Sequence, residues 1–417
     1  MANVGFAFWR RGCKKEIFTD NLNISRVPAA FLFNSDKTLH SFGNKAVSNH
    51  FRNALNKNHS QNHSQLYFRH FSLSLYNKRK CRPLCDTDCD GILSGEHILS
   101  QILDNLRENA IKSMLDILPD THDNIGDDIE LILTTPSSVA EKRKSKKLIE
   151  QAVKNSKFDE KRFCRVSESV ATAWLCKCQQ LQITKSNEVV HMSIFSKYIV
   201  ADLGAGKSVI SVYKIISETM LTQLDVFTKN IGGNSVNDKF EKFMKKICKH
   251  GEWTTFKANK HGEYEELLKQ FEEEKIKFDN ETECVILSLT DSLLSIIVKT
   301  IRETQGEKET RVVDDKLVIQ KSQMEDFFNP SIKTIVDLLN KIKSQYKEQV
   351  NKILLVGGYS QSEYLRAVLK AELQFFDISL VENPQMAALN GALMIGLKYG
   401  PIREDAQSEV FDKLFMK

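Results

Sequence analysis

One pattern constrains this chain more than any other: a strand, a helix, a second strand and a second helix occur in that order at 129–182 and again at 352–399. The first copy opens on the apolar run Ile129–Thr134 (IELILT) and passes Pro136 and Ser137 into a charged helix to about Lys154. It returns through Arg162–Val166 to a helix opening at Ser167 and Glu168. The second copy opens on Lys352–Val356 (KILLV), turns at Gly357 and Gly358, and runs a helix over Ser360–Leu373. The short strand Ile378–Val381 and an Ala- and Gly-rich helix over Pro384–Lys398 complete it. Short apolar runs alternating with helices argue for buried strands in an α/β fold. Similar order in two halves points to an internal duplication without residue-level identity.

Ahead of the second copy lies Tyr198–Tyr213 (YIVADLGAGKSVISVY): an apolar strand, the acid Asp202, a turn at Gly204 and Gly206, then a β-rich strand from Ser208. Glycines let a backbone turn tightly and approach a ligand, and an acid at a strand end is placed to meet a metal ion on a bound phosphate. An ordinary hairpin with no ligand has the same pattern, and the stretch alone leaves both readings open. Thr219–Thr228 adds a third strand to the meander. Ile231-Gly232-Gly233-Asn234 then turns into a long helical region holding Asp238–His250 and Glu263–Lys277. Glu309–Ser322 reads as a short strand pair and Asn329–Ser344 as an amphipathic helix.

The first half is less regular. Val4–Trp9 and Ala29–Phe33 read as two strands of a meander that has three in the second half, so its opening strand is expected to be missing. Residues 53–65 read as a polar surface loop; His50, His59 and His63 lack the regular spacing and acidic neighbours of a metal site. Asp86, Asp88, Asp90 and Gly91 open like a calcium loop, but His97 stands at the twelfth position, where a bidentate Glu belongs. Three cysteines (Cys81, Cys85, Cys89) fall short of a four-ligand zinc set, so a turn leading into the helix Ser94–Met114 is preferred. The run Lys142–Lys147 reads as a solvated helix face.

Composition excludes several classes. The 59 basic and 54 acidic residues give a formal charge of +5, too even for nucleic acid as the main partner. No run is apolar enough to span a bilayer, and the first thirty residues lack a secretory core. Nine cysteines, an odd count, fit reduced thiols in the cytoplasm, with the nucleus as the alternative compartment.

In VPAAFLFNSDKTLHSFG (27–43), TTPSS (134–138), YIVADLGAGKSV (198–209), FEEEKIKF (271–278), ILLVGGYSQSEYLR (353–366) and ENPQMAALNGALMIG (382–396), the chain resembles the actin-like ATPase superfamily. The likeness is to the ATPase region of the seventy-kilodalton heat-shock proteins, and within them to the divergent heat shock 70 kDa protein 12 branch. The resemblance implies a duplicated, ribonuclease H-like α/β fold: lobe I over 1–190, lobe II over 191–400 with a helical insertion at about 236–345, a tail over 401–417, and a nucleotide cleft. It implies ATP or ADP with Mg2+ as ligand. Asp202, Gly204 and Gly206 would form a phosphate loop, with Asp202 also directing the metal; Lys207, a departure from the family, either offers a compensating positive charge to a phosphate or points to solvent. Glu168 would orient the attacking water, Gly232 and Gly233 would lie near phosphates and ribose, and Glu272 and Lys275 would grip the ribose and adenine side. Gly357 and Gly358 would let the backbone approach the adenosine.

Departures weaken catalysis. The family's first phosphate loop lies ahead of the strand with which this chain starts. Lys207 replaces a hydroxyl residue, Val209 an acid, Gln385 an acid, and Ser72 falls where a phosphate-contacting lysine is expected. Little ATP hydrolysis is therefore expected. Three readings follow: a chaperone-like ATP-binding protein with weak or absent turnover, a pseudo-ATPase scaffold for co-chaperone or signalling partners, and a partial gene product. With so few residues after the final helix, no β-rich peptide-binding domain is expected in this chain.

Overall fold

The computed structural model describes residues 3–4, 6–8, 18–19, 27–28, 30–55, 65–69, 93–117, 129–135, 143–182, 195–217, 220–303 and 311–399. The chain begins with the short strands β1 (Asn3–Val4), β2 (Ala7–Phe8), β3 (Phe18–Thr19) and β4 (Val27–Pro28). Strands β5 (Ala30–Phe33) and β6 (Leu39–Phe42), helix α1 (Asn44–Leu55), strand β7 (Leu66–Arg69) and helix α2 (Gly95–Ile117) follow. The first strand–helix–strand–helix segment is β8 (Leu131–Thr135), α3 (Arg143–Lys154), β9 (Phe163–Ser167) and α4 (Glu168–Gln182). A meander comes next: β10 (Lys197–Leu203), β11 (Ser208–Ser217) and β12 (Met220–Lys229). Helices α5 (Gly233–Ile247), α6 (His250–Asn259) and α7 (His261–Lys277) lead to β13 (Cys284–Ser288), α8 (Asp291–Glu303), β14 (Arg311–Val313), β15 (Lys316–Gln320) and α9 (Lys321–Tyr346). The second such segment is β16 (Val350–Val356), α10 (Glu363–Glu372), β17 (Asp377–Leu380) and α11 (Ala387–Tyr399).

The protein is thus mixed α/β. Its contacts divide it into two compact units: Met1–Met192 with Ser217–Thr222 and Met386–Lys417, and Ser193–Ile216 with Gln223–Gln385. The final helix falls in the first of these, whereas the sequence reading kept it with lobe II.

In the first unit β5 lies between β6 and β7 in an antiparallel sheet. Its period of two sorts the side chains cleanly. Phe31 and Phe33 join Phe68, Ile98, Ile102, Ile149 and Val153 in one core, while Ala30 and Leu32 face Tyr67 and Ala46 in another. Among the described residues the expected meander of Val4–Trp9 with Ala29–Phe33 does not form: β1 pairs β4, β2 pairs β3, and β5 takes β6 and β7. Apolar runs specify a strand but not its partner. β8 and β9 pair in parallel. Helices α4 and α11 touch at small residues: a methyl on Gly391 would come within 1.8 Å of Ala171 O.

The second unit holds a five-stranded sheet in the order β12-β11-β10-β16-β17, antiparallel through the hairpin and parallel from β10 to β17. Ile199, Val200 and Ala201 of β10 and Ile353, Leu354 and Leu355 of β16 are all buried, as strands covered on both faces require. Tyr198 and Tyr213 stand directly opposite and stack at 5.9 Å. A second sheet, β13-β15-β14, packs with α5–α9 into the same core. Helices α5, α6 and α7 are tied at Glu241, which accepts from Trp253 Nε1 (2.9 Å), Lys257 Nζ (2.9 Å) and the Tyr264 hydroxyl. Burial pushes this carboxyl up, but those three donors together hold it below the usual carboxylate range. Helix α9 starts eight residues before the expected Asn329, with Pro330 inside it. Burial of Met324, Phe327 and Phe328 on its first turns outweighs the ~3 kcal/mol a helix-interior proline costs.

Of the loop expected over 53–65, residues 53–55 instead end helix α1 and 56–64 lie outside the described residues, as do the Cys/Asp segment at 81–91, Pro136, Ser137, Ser72 and the tail 401–417. Of the run expected as a solvated helix face, Lys142 lies outside the described residues and 143–147 belong to α3, where Lys146 and Lys147 are exposed and Ser145 is buried.

Candidate functional site

Three glycine-bearing turns of the second unit come together. β10 and β11 place the first: Asp202 is opposite Val209 and Leu203 opposite Ser208, so Gly204–Lys207 form the connection. Gly204 N donates to Lys207 O at 3.0 Å and closes it. The second turn, Gly232-Gly233, opens α5 and lies against the first. A methyl on Gly232 would fall 2.2 Å from Gly204 O and 2.6 Å from Ala205 O. The third, Gly357-Gly358, follows β16. Gly357 has φ +87°, and a methyl on it would fall 2.5 Å from Leu203 O and 2.6 Å from Asp202 Oδ1. Only glycine satisfies both the left-handed backbone and that approach. By contrast a methyl on Gly206 would meet only Asn234 Nδ2, at 3.8 Å, so nothing steric requires glycine there.

The first turn caps the helix on the second. The opening amides of a helix have no partner within it. Here Gly233 N donates to Gly204 O (3.2 Å) and Asn234 N to Ala205 O (2.7 Å). Gly232 N donates to Ser235 Oγ (3.2 Å), and Ser208 Oγ donates to Ile231 O (2.8 Å). The amides of Ala205, Gly206 and Lys207 donate to nothing among the described residues. Ala205 and Gly206 are exposed. Successive unengaged amides on a turn are the kind of donor that an anion-binding concavity uses.

Beside these turns sits a polar ring. Lys275, on α7, is only 5% exposed. Its ammonium pairs with Glu272 Oε2 at 2.6 Å and donates to Asn237 Oδ1 at 2.8 Å and Gly233 O at 3.4 Å. Asn237 Nδ2 donates in turn to Glu272 Oε1. Burial pulls the Lys275 pKa down, against the pull of Glu272 in the other direction. Tyr359 closes the floor, 3.6 Å from where a Gly233 methyl would stand. Its hydroxyl bonds to Ser331 (2.7 Å), and burial pushes its pKa up.

Ten of the residues picked from the sequence therefore belong to the second unit: Asp202, Gly204, Gly206, Lys207, Gly232, Gly233, Glu272, Lys275, Gly357 and Gly358. Glu168 opens α4 in the first unit, where Ser167 Oγ accepts from Val170 N at 3.2 Å. Sequence reasoning missed Asn237 and Tyr359. Asn237 could have been found as a polar residue one helical turn beyond Gly233, between the buried Val236 and Phe240.

Among the described residues no three of His, Cys, Asp and Glu cluster tightly enough to hold a metal. A magnesium ion keeps one or two protein carboxylates and takes its other ligands from phosphates and water. The single acid Asp202, facing Val209 across the hairpin, fits a metal that arrives with a phosphate and not one caged by protein. No family model matches this chain, and no curated protein matches it as a relative.

Proposed function

We propose that the second unit binds a magnesium nucleotide, ATP or ADP, on the Gly204–Lys207 turn, with little or no hydrolysis. The fold proposed for the whole chain is the duplicated actin-like ATPase arrangement of the heat shock 70 kDa protein 12 branch. The observation that carries the reading is the meeting of three glycine turns at a hairpin with unengaged backbone amides, next to a carboxylate and a Glu272–Lys275 pair whose lysine is buried. A bland hairpin needs none of these approaches.

Phosphate oxygens would accept from the amides of Ala205, Gly206 and Lys207, with the Lys207 side chain beside them. Asp202 would meet the metal, whose contribution is charge neutralisation on the phosphates. The carbonyls of Gly204 and Ala205 are committed to α5, while the amides of Ala205, Gly206 and Lys207 have no partner among the described residues. Glu272, Lys275 and Asn237 would serve the sugar end. Turnover is expected to be slow because catalysis of phosphoryl transfer is mostly positioning and charge stabilisation. The hairpin offers one carboxylate, with Val209 across from it. Losing one preorganised charge-stabilising group costs about 100-fold or more in rate.

Calorimetric titration with Mg-ATP and Mg-ADP tests this. Binding is expected in the wild type and lost in Asp202→Ala. A ligand at 100 times its Kd would also raise the unfolding free energy by about 2.7 kcal/mol. No heat and no thermal shift at millimolar nucleotide would leave a scaffold without nucleotide affinity.

A further inference from the structure

Within the ring of Asn237, Glu272 and Lys275, the two α7 residues that look like equals in the sequence, Glu272 and Lys275, have different surroundings. An ammonium has three protons. All three of Lys275's are engaged, by Glu272 Oε2, Asn237 Oδ1 and Gly233 O. Its side chain is 6% exposed, while that of Glu272 is 44% exposed. Lys275 therefore has no proton left for a ligand, and Glu272 is the open member of the pair. Both oxygens of Glu272 are fixed, Oε2 by Lys275 and Oε1 by the Asn237 amide.

Among the described residues Asn237 is the side chain that bonds to both. Its carbonyl oxygen accepts from the ammonium and its NH2 donates to the carboxylate. A carboxylate there would accept but not donate, and would set a second negative charge against Glu272. It stands one turn into α5, whose opening amides are held by the Gly204-Ala205 carbonyls. The ring and the phosphate-facing turn are thus built on the same helix end.

We propose that Asn237 is a positioning residue of the nucleotide site, holding the Glu272 carboxylate in place for ligand hydroxyls, and that Lys275 acts through Glu272 and not by touching ligand. This rests on the nucleotide reading above. The titratable neighbours are Glu272 and Lys275 from α7, with Tyr359 beside Gly233 bonded to Ser331.

The test is Mg-ADP affinity of wild type, Asn237→Asp and Asn237→Ala at about pH 8 and about pH 5, with circular dichroism melts to check folding. At the higher pH both variants bind about tenfold or more weakly, the loss expected for a hydrogen bond to a charged group. At the lower pH Asn237→Asp recovers toward wild type relative to Asn237→Ala. An aspartic acid sharing a proton with Glu272 regains the donor that the amide supplied. A merely structural role would not produce that pH-dependent rescue. Wild-type affinity in both variants at both values overturns the inference while leaving nucleotide binding intact. So does equal loss in both with no recovery. Absence of Mg-ADP binding by the wild type removes the nucleotide reading itself, and this inference with it.

Discussion

Two strand pairs in this protein share one element order and have opposite surroundings. β16 and β17, joined through α10, continue a sheet in which β10 lies on the other side of β16. β8 and β9, joined through α3, form a pair whose β8 has β9 as its one ladder partner among the described residues. Ile353, Leu354 and Leu355 are buried to 1% exposure or less, whereas Leu131, Ile132 and Leu133 are all half-buried. The sequences of the two strands are almost equally apolar. Burial here comes from what lies alongside a strand and not from its own hydrophobicity.

The comparison breaks most visibly at glycine. Gly357→Ala should cost about 4 kcal/mol or prevent folding of the second unit, because it adds backbone strain to a clash with the Leu203 carbonyl. Gly396→Ala in the first unit would meet the Cδ1 of Ile132 at 2.1 Å, the end of a side chain that can rotate away. It should cost under about 1.5 kcal/mol by chemical denaturation. Equal losses would mean that β8 is packed as rigidly as β16.

Truncation of the strands themselves comes next. Ile353→Ala is expected to cost about 3–4 kcal/mol, and Ile132→Ala about half that, since a half-buried side chain gives up less transfer free energy and leaves a smaller cavity. Urea midpoints of the two variants decide it. A loss at Ile132 as large as that at Ile353 would show β8 to be fully enclosed.

The smallest effect is a gain. Across β16 and β17 a charged pair is satisfied, with Lys352 opposite Asp377 at 3.1 Å. On β9, Arg165 stands opposite Leu133 with its Nη1 buried and without a hydrogen-bond partner. Burial pulls its pKa down. Arg165→Met should stabilise the first unit by about 1 kcal/mol through removal of that desolvated donor. A fall in melting temperature would reveal a partner for the guanidinium.

Much of the architecture was legible in the sequence. The hairpin at 204, the strand-turn-helix at 357 and both strand–helix–strand–helix runs were readable because their periodicity and punctuation are local. Other elements were not. β13 (Cys284–Ser288) interrupts an insertion that reads as helical, whereas α8 (Asp291–Glu303) in the same insertion agrees with it. β13 alternates buried Val285 and Leu287 with half-exposed neighbours only because β15 pairs with it. β6 and β7 were missed for the same reason, each taking its place from β5. Of the candidate site, the glycines, Asp202, Glu272 and Lys275 were found by motif, while Asn237 lay on a helix face whose partner is thirty-five residues away.

By itself the sequence determined where the chain turns, which faces are apolar and which few polar residues accompany the glycines. These follow from rules acting over one to four residues. Only the tertiary structure decided that the Gly204-Ala205 carbonyls cap α5, that Lys275 has no free proton, and that β16 is enclosed while β8 is not. Each depends on which segments come into contact and in what register, and a hydrogen bond or a desolvated charge exists only once both partners have arrived.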